Sequence, residues 1–140
     1  MEKINILEVE FLAHRFAKET MSFNEPIPEF KTRFPHVLES CLATPFQEFG
    51  GKSAYHGLIG KAAVLFYLMI KNHPFQNGNK RVAMMTLLIF LYKNKKWLKV
   101  SNQELYNFAV WVAQSPATLN DAVVIGIEDF LKRYISSPKK

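Results

Sequence analysis

The residues of this 140-residue chain whose types and spacing can do chemistry lie within nine positions, His73 to Arg81, in the stretch HPFQNGNKR. His73 offers a base or a nucleophile. Pro74 disfavours the helical conformation at the residue before it, so a preceding helix should end near Asn72 and leave His73 at a helix-to-loop junction. Phe75, the only large apolar residue of the loop, is suited to pin it to a core. Gly78 permits a backbone turn that other residues enter only with strain. The amides of Gly78, Asn79, Lys80 and Arg81 then lead into a second apolar segment. Unpaired N–H groups, the positive end of a helix dipole and two side-chain cations would converge there as an anion cradle. Each hydrogen bond to a phosphate in such a cradle is worth about 1.5–3 kcal/mol. Taken singly, His before Pro is a turn residue, Gly-Asn an ordinary turn and Lys-Arg a solvated pair. Their order argues for chemistry.

The elements that must position this loop are helical. Residues 58–71, LIGKAAVLFYLMIK, place Leu58, Ala62, Leu65, Phe66 and Met69 on one side, and VAMMTLLIFLY (82–92) is apolar nearly all round, as a helix enclosed by others requires. Upstream, Ile6, Val9, Leu12, Ala13 and Phe16 repeat at helical spacing over residues 5–19. Pro26 and Pro28 break the pattern within MSFNEPIPEF. A short helix over PHVLESCLA starts at Pro35 and stops before Pro45. Gly50-Gly51 either turns a small hairpin or lies in a plain loop. Downstream, SNQE (101–104) has the form of a capping box in which Ser101 and Glu104 bond reciprocally, opening a helix through Leu105, Phe108, Ala109 and Val112. Asn120 or Asp121 should cap a last helix presenting Val124, Ile127, Phe130, Leu131 and Tyr134. The expected class is all-α, one domain over residues 1–135 with a frayed tail at 136–140.

Charge is unevenly placed. All 12 acids lie outside the interval between Glu48 and Glu104, which holds nine of the 18 lysines and arginines, so the middle carries +9 and the flanks −3. A basic centre should attract a polyanion. The KNKKWLK cluster, by contrast, reads as a solvated lysine face. A nucleic-acid partner ranks last because no base-reading motif is present. The single cysteine, Cys41, excludes an internal disulfide framework and fits a reducing compartment as a buried thiol. No secretory pattern opens the chain and no apolar run reaches membrane-spanning length, so a cytoplasmic protein without a membrane partner is expected.

HPFQNGNKR resembles the signature of the Fic/Doc family, H-x-F-x-[DE]-[GA]-N-[GK]-R. LESCLATPFQEFGG, KAAVLFYLMIKNHPF and NKRVAMMTLLIFLYKN are similar to its death-on-curing branch, so the resemblance covers roughly residues 34–95. It implies a compact helical bundle with a short β-hairpin flap, here Phe49, Gly50, Gly51, Lys52, Ser53, Ala54 and Tyr55, along which a target segment docks. It implies His73 as the base that deprotonates a target hydroxyl, Phe75 as the core anchor, Gly78 and Asn79 as the phosphate-binding turn, and Arg81 as the arginine that pairs with nucleotide phosphates. The donor implied is ATP, with Mg2+ held at position 77.

Three positions depart from the AMP-transferring members. Lys80 replaces their glycine, as in the death-on-curing branch, where ATP is thought to bind reversed so that its γ-phosphate is transferred. Met84 stands where they carry a second arginine. Asn77 stands where the family has a metal-binding acid, which leaves metal binding and activity open. No stretch matches the autoinhibitory pattern [ST]-x-x-x-E-[GN], since Thr44 to Glu48 contains Pro45 and is followed by Phe49. The reading is a death-on-curing-like toxin, phosphorylating a Ser, Thr or Tyr hydroxyl of a target protein and restrained by an antitoxin in trans. The rival readings are AMP transfer and a non-catalytic nucleotide-binding module.

Overall fold

A computed structural model describes residues 1–21 and 26–138. The chain enters through α1 (Ile6–Glu8), opened by a capping box that the sequence reading missed: Asn5 Oδ1 accepts from Glu8 N at 2.9 Å and Asn5 N donates to Glu8 Oε1 at 3.0 Å. The helical pattern over 5–19 is interrupted by a π-helical segment, Val9–His14, before α2 (Arg15–Thr20) resumes. Looser i→i+5 winding changes which residues face inward. Val9, Ala13, His14 and Ala17 are buried, whereas Leu12 and Phe16, assigned to the core face by their spacing, are 38% and 44% exposed.

After a 3-10 turn at Phe30–Thr32, α3 (Pro35–Ala43) starts at its proline and buries Leu38, Cys41 and Leu42. Burial raises the Cys41 thiol to about 11, so it stays protonated and inert. The Gly-Gly alternative resolves to a hairpin. β1 (Glu48–Phe49) pairs antiparallel with β2 (Lys52–Ser53), and Ala54 N adds a bond to Gln47 O at 2.9 Å. Gly50 and Gly51 both have positive φ, 59° and 79°, as a two-residue turn matched to strand twist demands.

α4 (Gly57–Lys71) and α5 (Asn79–Lys93) form the centre of the bundle. Val82, Ala83, Met84, Leu87, Phe90 and Leu91 of α5 are all buried, the enclosure expected of a helix apolar on every side. A short strand β3 (Trp97–Leu98) leads to α6 (Asn102–Gln114) and α7 (Asn120–Tyr134), which cover the pair. Phe108 of α6 stacks on Phe130 of α7 at 4.0 Å between centroids.

Two capping expectations change. Ser101 Oγ accepts from Glu104 N at 3.1 Å, but the Glu104 carboxylate reaches Tyr134 Oη at 3.4 Å on α7 instead of closing the box. Asn120 is the first residue of α7 and not its cap, accepting only from the adjacent Asp121 N. The tail also differs from expectation at its first residue. β4 (Ile135–Ser136) pairs with β3, Trp97 opposite Ser136 and Leu98 opposite Ile135, and Lys99 N donates to Tyr134 O at 2.8 Å. Leu98, 2% exposed, anchors that ladder from the core side. Of the tail, Lys139 and Lys140 lie outside the described residues, as do residues 22–25 of the Pro-containing break. The bundle with its hairpin is all-α in class, and among the described residues no helix is long and apolar enough to cross a membrane.

Candidate active site

α4 closes with Asn72 N bonded to Leu68 O at 2.9 Å, and the chain turns at once into the loop. Pro74 disfavours the right-handed helical region at His73, which adopts a positive φ of 51° and is exposed. The turn is held from within by Asn79. Its Oδ1 accepts from Phe75 N and its Nδ2 donates to Phe75 O, both at 2.9 Å, so the orientation of the amide is determined by its partners. Nδ2 also lies 3.4 Å from His73 Nδ1. Asn79, expected in the phosphate-binding turn, spends its side chain on the loop and is buried. Its backbone N–H is what it offers to an anion. The ladder of α5 begins only with Val82 N to Gly78 O at 3.0 Å, so the N–H groups of Asn79 and Lys80 precede it.

The loop rests on a wall that sequence reasoning had treated as a mere helix break. Phe75, 3% exposed, packs 5.9 Å from Phe30 and 5.5 Å from His14, and the rings of His14 and Phe30 meet edge to face at 5.4 Å. His14 Nε2 donates to Pro28 O at 2.9 Å, and Phe34 N donates to Pro74 O at 2.9 Å. The π-helical turn ends at His14, bringing it to this wall. Only the presence of a histidine on an otherwise apolar helix face could have signalled it. Burial lowers the pKa of His14 against the opposing pull of the Pro28 hydrogen bond and of Glu10, with Lys18 adding to the lowering. Its folded value therefore lies below the unfolded one, and the unfolded chain binds more protons in the window between them. Unfolding free energy should fall as pH drops below about 6.5, through the lowered folded value. A urea titration series across that range should show the slope, and His14→Leu should flatten it.

Gly78 is required twice over. Its φ is 76°, and a Cβ placed there would lie 2.7 Å from Ile27 Cγ1. Gly78→Ala should cost about 1–3 kcal/mol from backbone strain and overpacking, read as a lower urea midpoint with unchanged slope.

The two neighbouring cations part company. Lys80 is half-buried, and its side chain has no hydrogen bond or ion pair among the described residues. Arg81, expected at the nucleotide, is 3% exposed, and its Nη1 donates to Met21 O at 2.9 Å. It fastens the start of α5 to the end of α2. Other members of the basic middle are committed as well. Lys61 Nζ donates to Tyr55 O at 2.6 Å, Lys71 Nζ to Ser115 O at 2.6 Å, and Lys93 pairs with Glu8 at 2.7 Å.

The flap hairpin is exposed throughout its strands and turn, with Phe49 69% exposed, and Lys61 fixes its C-terminal end to α4. The fifteen residues of α4 then carry the chain about 22 Å to His73. Asn77 is half-buried and engaged in an interaction of its own. Among the described residues no group of three or more His, Cys, Asp or Glu is assembled, and the loop supplies only the neutral amides of Gln76, Asn77 and Asn79 and no carboxylate. This donor set does not make a magnesium site by itself.

A toxin named Doc from Mycolicibacterium smegmatis is 36% identical over 66 residues, which span 47% of this chain and 51% of that toxin, so the match covers about half the length of the relative. No solved structure matches. The model of the Fic/DOC family matches residues 8–91, a span that holds the π-helical turn, the hairpin, the loop and α5 nearly to its end, and the chain therefore belongs to the Fic/DOC family.

Proposed function

We propose that this protein is a Doc-like toxin that transfers the γ-phosphoryl group of ATP to a hydroxyl of a target protein, and that an antitoxin restrains it in trans. One observation carries the reading: an exposed histidine and an uncommitted lysine stand at the two ends of one clamped turn, beside backbone amides that have no helical partner. The hydroxyl oxygen attacks the γ-phosphorus. A new O–P bond forms as the bond to the β-phosphate oxygen breaks, the hydroxyl proton passes to His73, and ADP leaves. Lys80 and the N–H groups of Asn79 and Lys80 neutralise the polyphosphate and keep it in line. No step is assigned to a metal, because the loop lacks the carboxylate that would hold one.

Phosphoryl transfer is preferred to AMP transfer on two positions. Lys80 puts a cation where AMP-transferring members have glycine, and Met84 is fully buried in α5, so no second cation reaches the loop from that turn. The full chain incubated with cell lysate and either γ- or α-labelled ATP tests this. Label on protein from γ-labelled ATP alone is expected, and label from α-labelled ATP would replace the reading by AMP transfer. ATP binding with no label transferred from either donor would favour a binding module. Asn77→Asp is expected to make ATP binding more dependent on Mg2+ than in the parent, read by calorimetric titration with and without the ion.

A further inference from the structure

A sizeable hollow lies far from the loop. A cleft of about 770 Å³ is lined by Tyr92, Trp97, Lys99, Ser101, Glu104 and Ser136, among others, where β3 and β4 meet the end of α5. It is separated from Gly78 by the length of α5, about 22 Å for fifteen residues. Its volume is that of a ligand site. Tyr92 and Trp97 meet edge to face at 6.1 Å between centroids and stay 62% and 37% exposed, so each leaves ring surface open.

Around these rings the charge is positive. Lys95, Lys96 and Lys99 are exposed, and their side chains make no hydrogen bond or ion pair among the described residues. Lys132 and Arg133, also exposed, occupy the last turn of α7 immediately before β4. The acids nearby are Glu104 in the lining, Asp129 one turn before Arg133 on α7, Glu2 at the Asn94 turn, and Glu8, which is paired with Lys93. A solvated lysine face accounts for the lysines. It does not account for two exposed aromatic rings placed among them over a cleft.

We propose that this pole binds single-stranded nucleic acid, one or two bases stacking on Tyr92 and Trp97 while Lys95, Lys96 and Lys99 follow the phosphates. Binding of this kind needs no base-reading motif, since every base has a π-face, and stacking with a basic track is sufficient. The spread of the cations beyond the cleft favours a strand over a mononucleotide. The inference is independent of the transfer chemistry at His73.

The test is fluorescence anisotropy of a labelled twelve-residue oligothymidine with the full chain, over a salt series. Binding should weaken as salt rises, and the Lys95→Gln/Lys96→Gln/Lys99→Gln variant should reduce the log–log salt slope by about 2. Tyr92→Ala, at a position that contributes little to the core, should lose affinity roughly five- to a hundredfold, and Trp97→Leu should do the same. Four results would overturn the proposal. They are no binding at low salt, undiminished binding by the triple variant, undiminished binding by Tyr92→Ala with polyglutamate competing equally well, and loss of binding on Lys80→Ala, which would place the strand at the loop.

Discussion

Replacing His73 by alanine is expected to lower transfer of labelled phosphate to protein by roughly 10²–10⁴-fold, the usual contribution of a positioned general base. The fold should survive. The residue is exposed and its ring makes only the 3.4 Å contact to Asn79 among the described residues, while the loop is clamped independently through Phe75 and Asn79. Nucleotide affinity should stay close to the parent value, because the amides and Lys80 that would hold phosphate are untouched. The measurement is label transfer at saturating ATP, with circular dichroism and an ATP titration on the same sample. A folded variant that transfers label at the parent rate would remove His73 from the mechanism.

Arg81→Ala is expected to destabilise the protein by about 2–4 kcal/mol, through the cavity left by a buried side chain and the carbonyl of Met21 left without its donor. Lys80→Ala should change stability by no more than about 0.5 kcal/mol, as for an uncommitted side chain, and should lose transfer instead. The pair separates two adjacent cations by opposite signatures, one in the urea midpoint and one in turnover. Should Arg81→Ala unfold at the parent urea concentration while ATP binding collapses, Arg81 would act at the nucleotide and its buried contact would be incidental.

The sequence by itself determined the parts whose cause is local. The apolar runs 58–71 and 82–92 could be stable only as enclosed helices, while Gly50-Gly51 suited a hairpin turn or a plain loop alike until the family resemblance implied the hairpin. Pro74 and Gly78 dictated a break and a turn between the helices, with Phe75 as the one apolar residue able to pin it. Those features also carried the family resemblance, since its motif is the loop. Tertiary structure decided which polar side chains of that loop are spent on holding the fold. Lys80 and Arg81 are neighbours with the same charge, yet α2 ends over one, while the other has no hydrogen bond or ion pair among the described residues. Nothing within a few residues of either encodes that difference.

The same holds for Asn79, whose amide closes on Phe75, and for His14, which a π-helical turn carries to the wall beneath the loop. It holds again for Trp97 and Ser136, which lie far apart in the chain and meet because Leu98 is drawn into the core. Helix, turn and charge are read from neighbours in sequence. Whether a charge faces water, a carbonyl or a ligand depends on which distant segment packs over it, and only the assembled bundle specifies that.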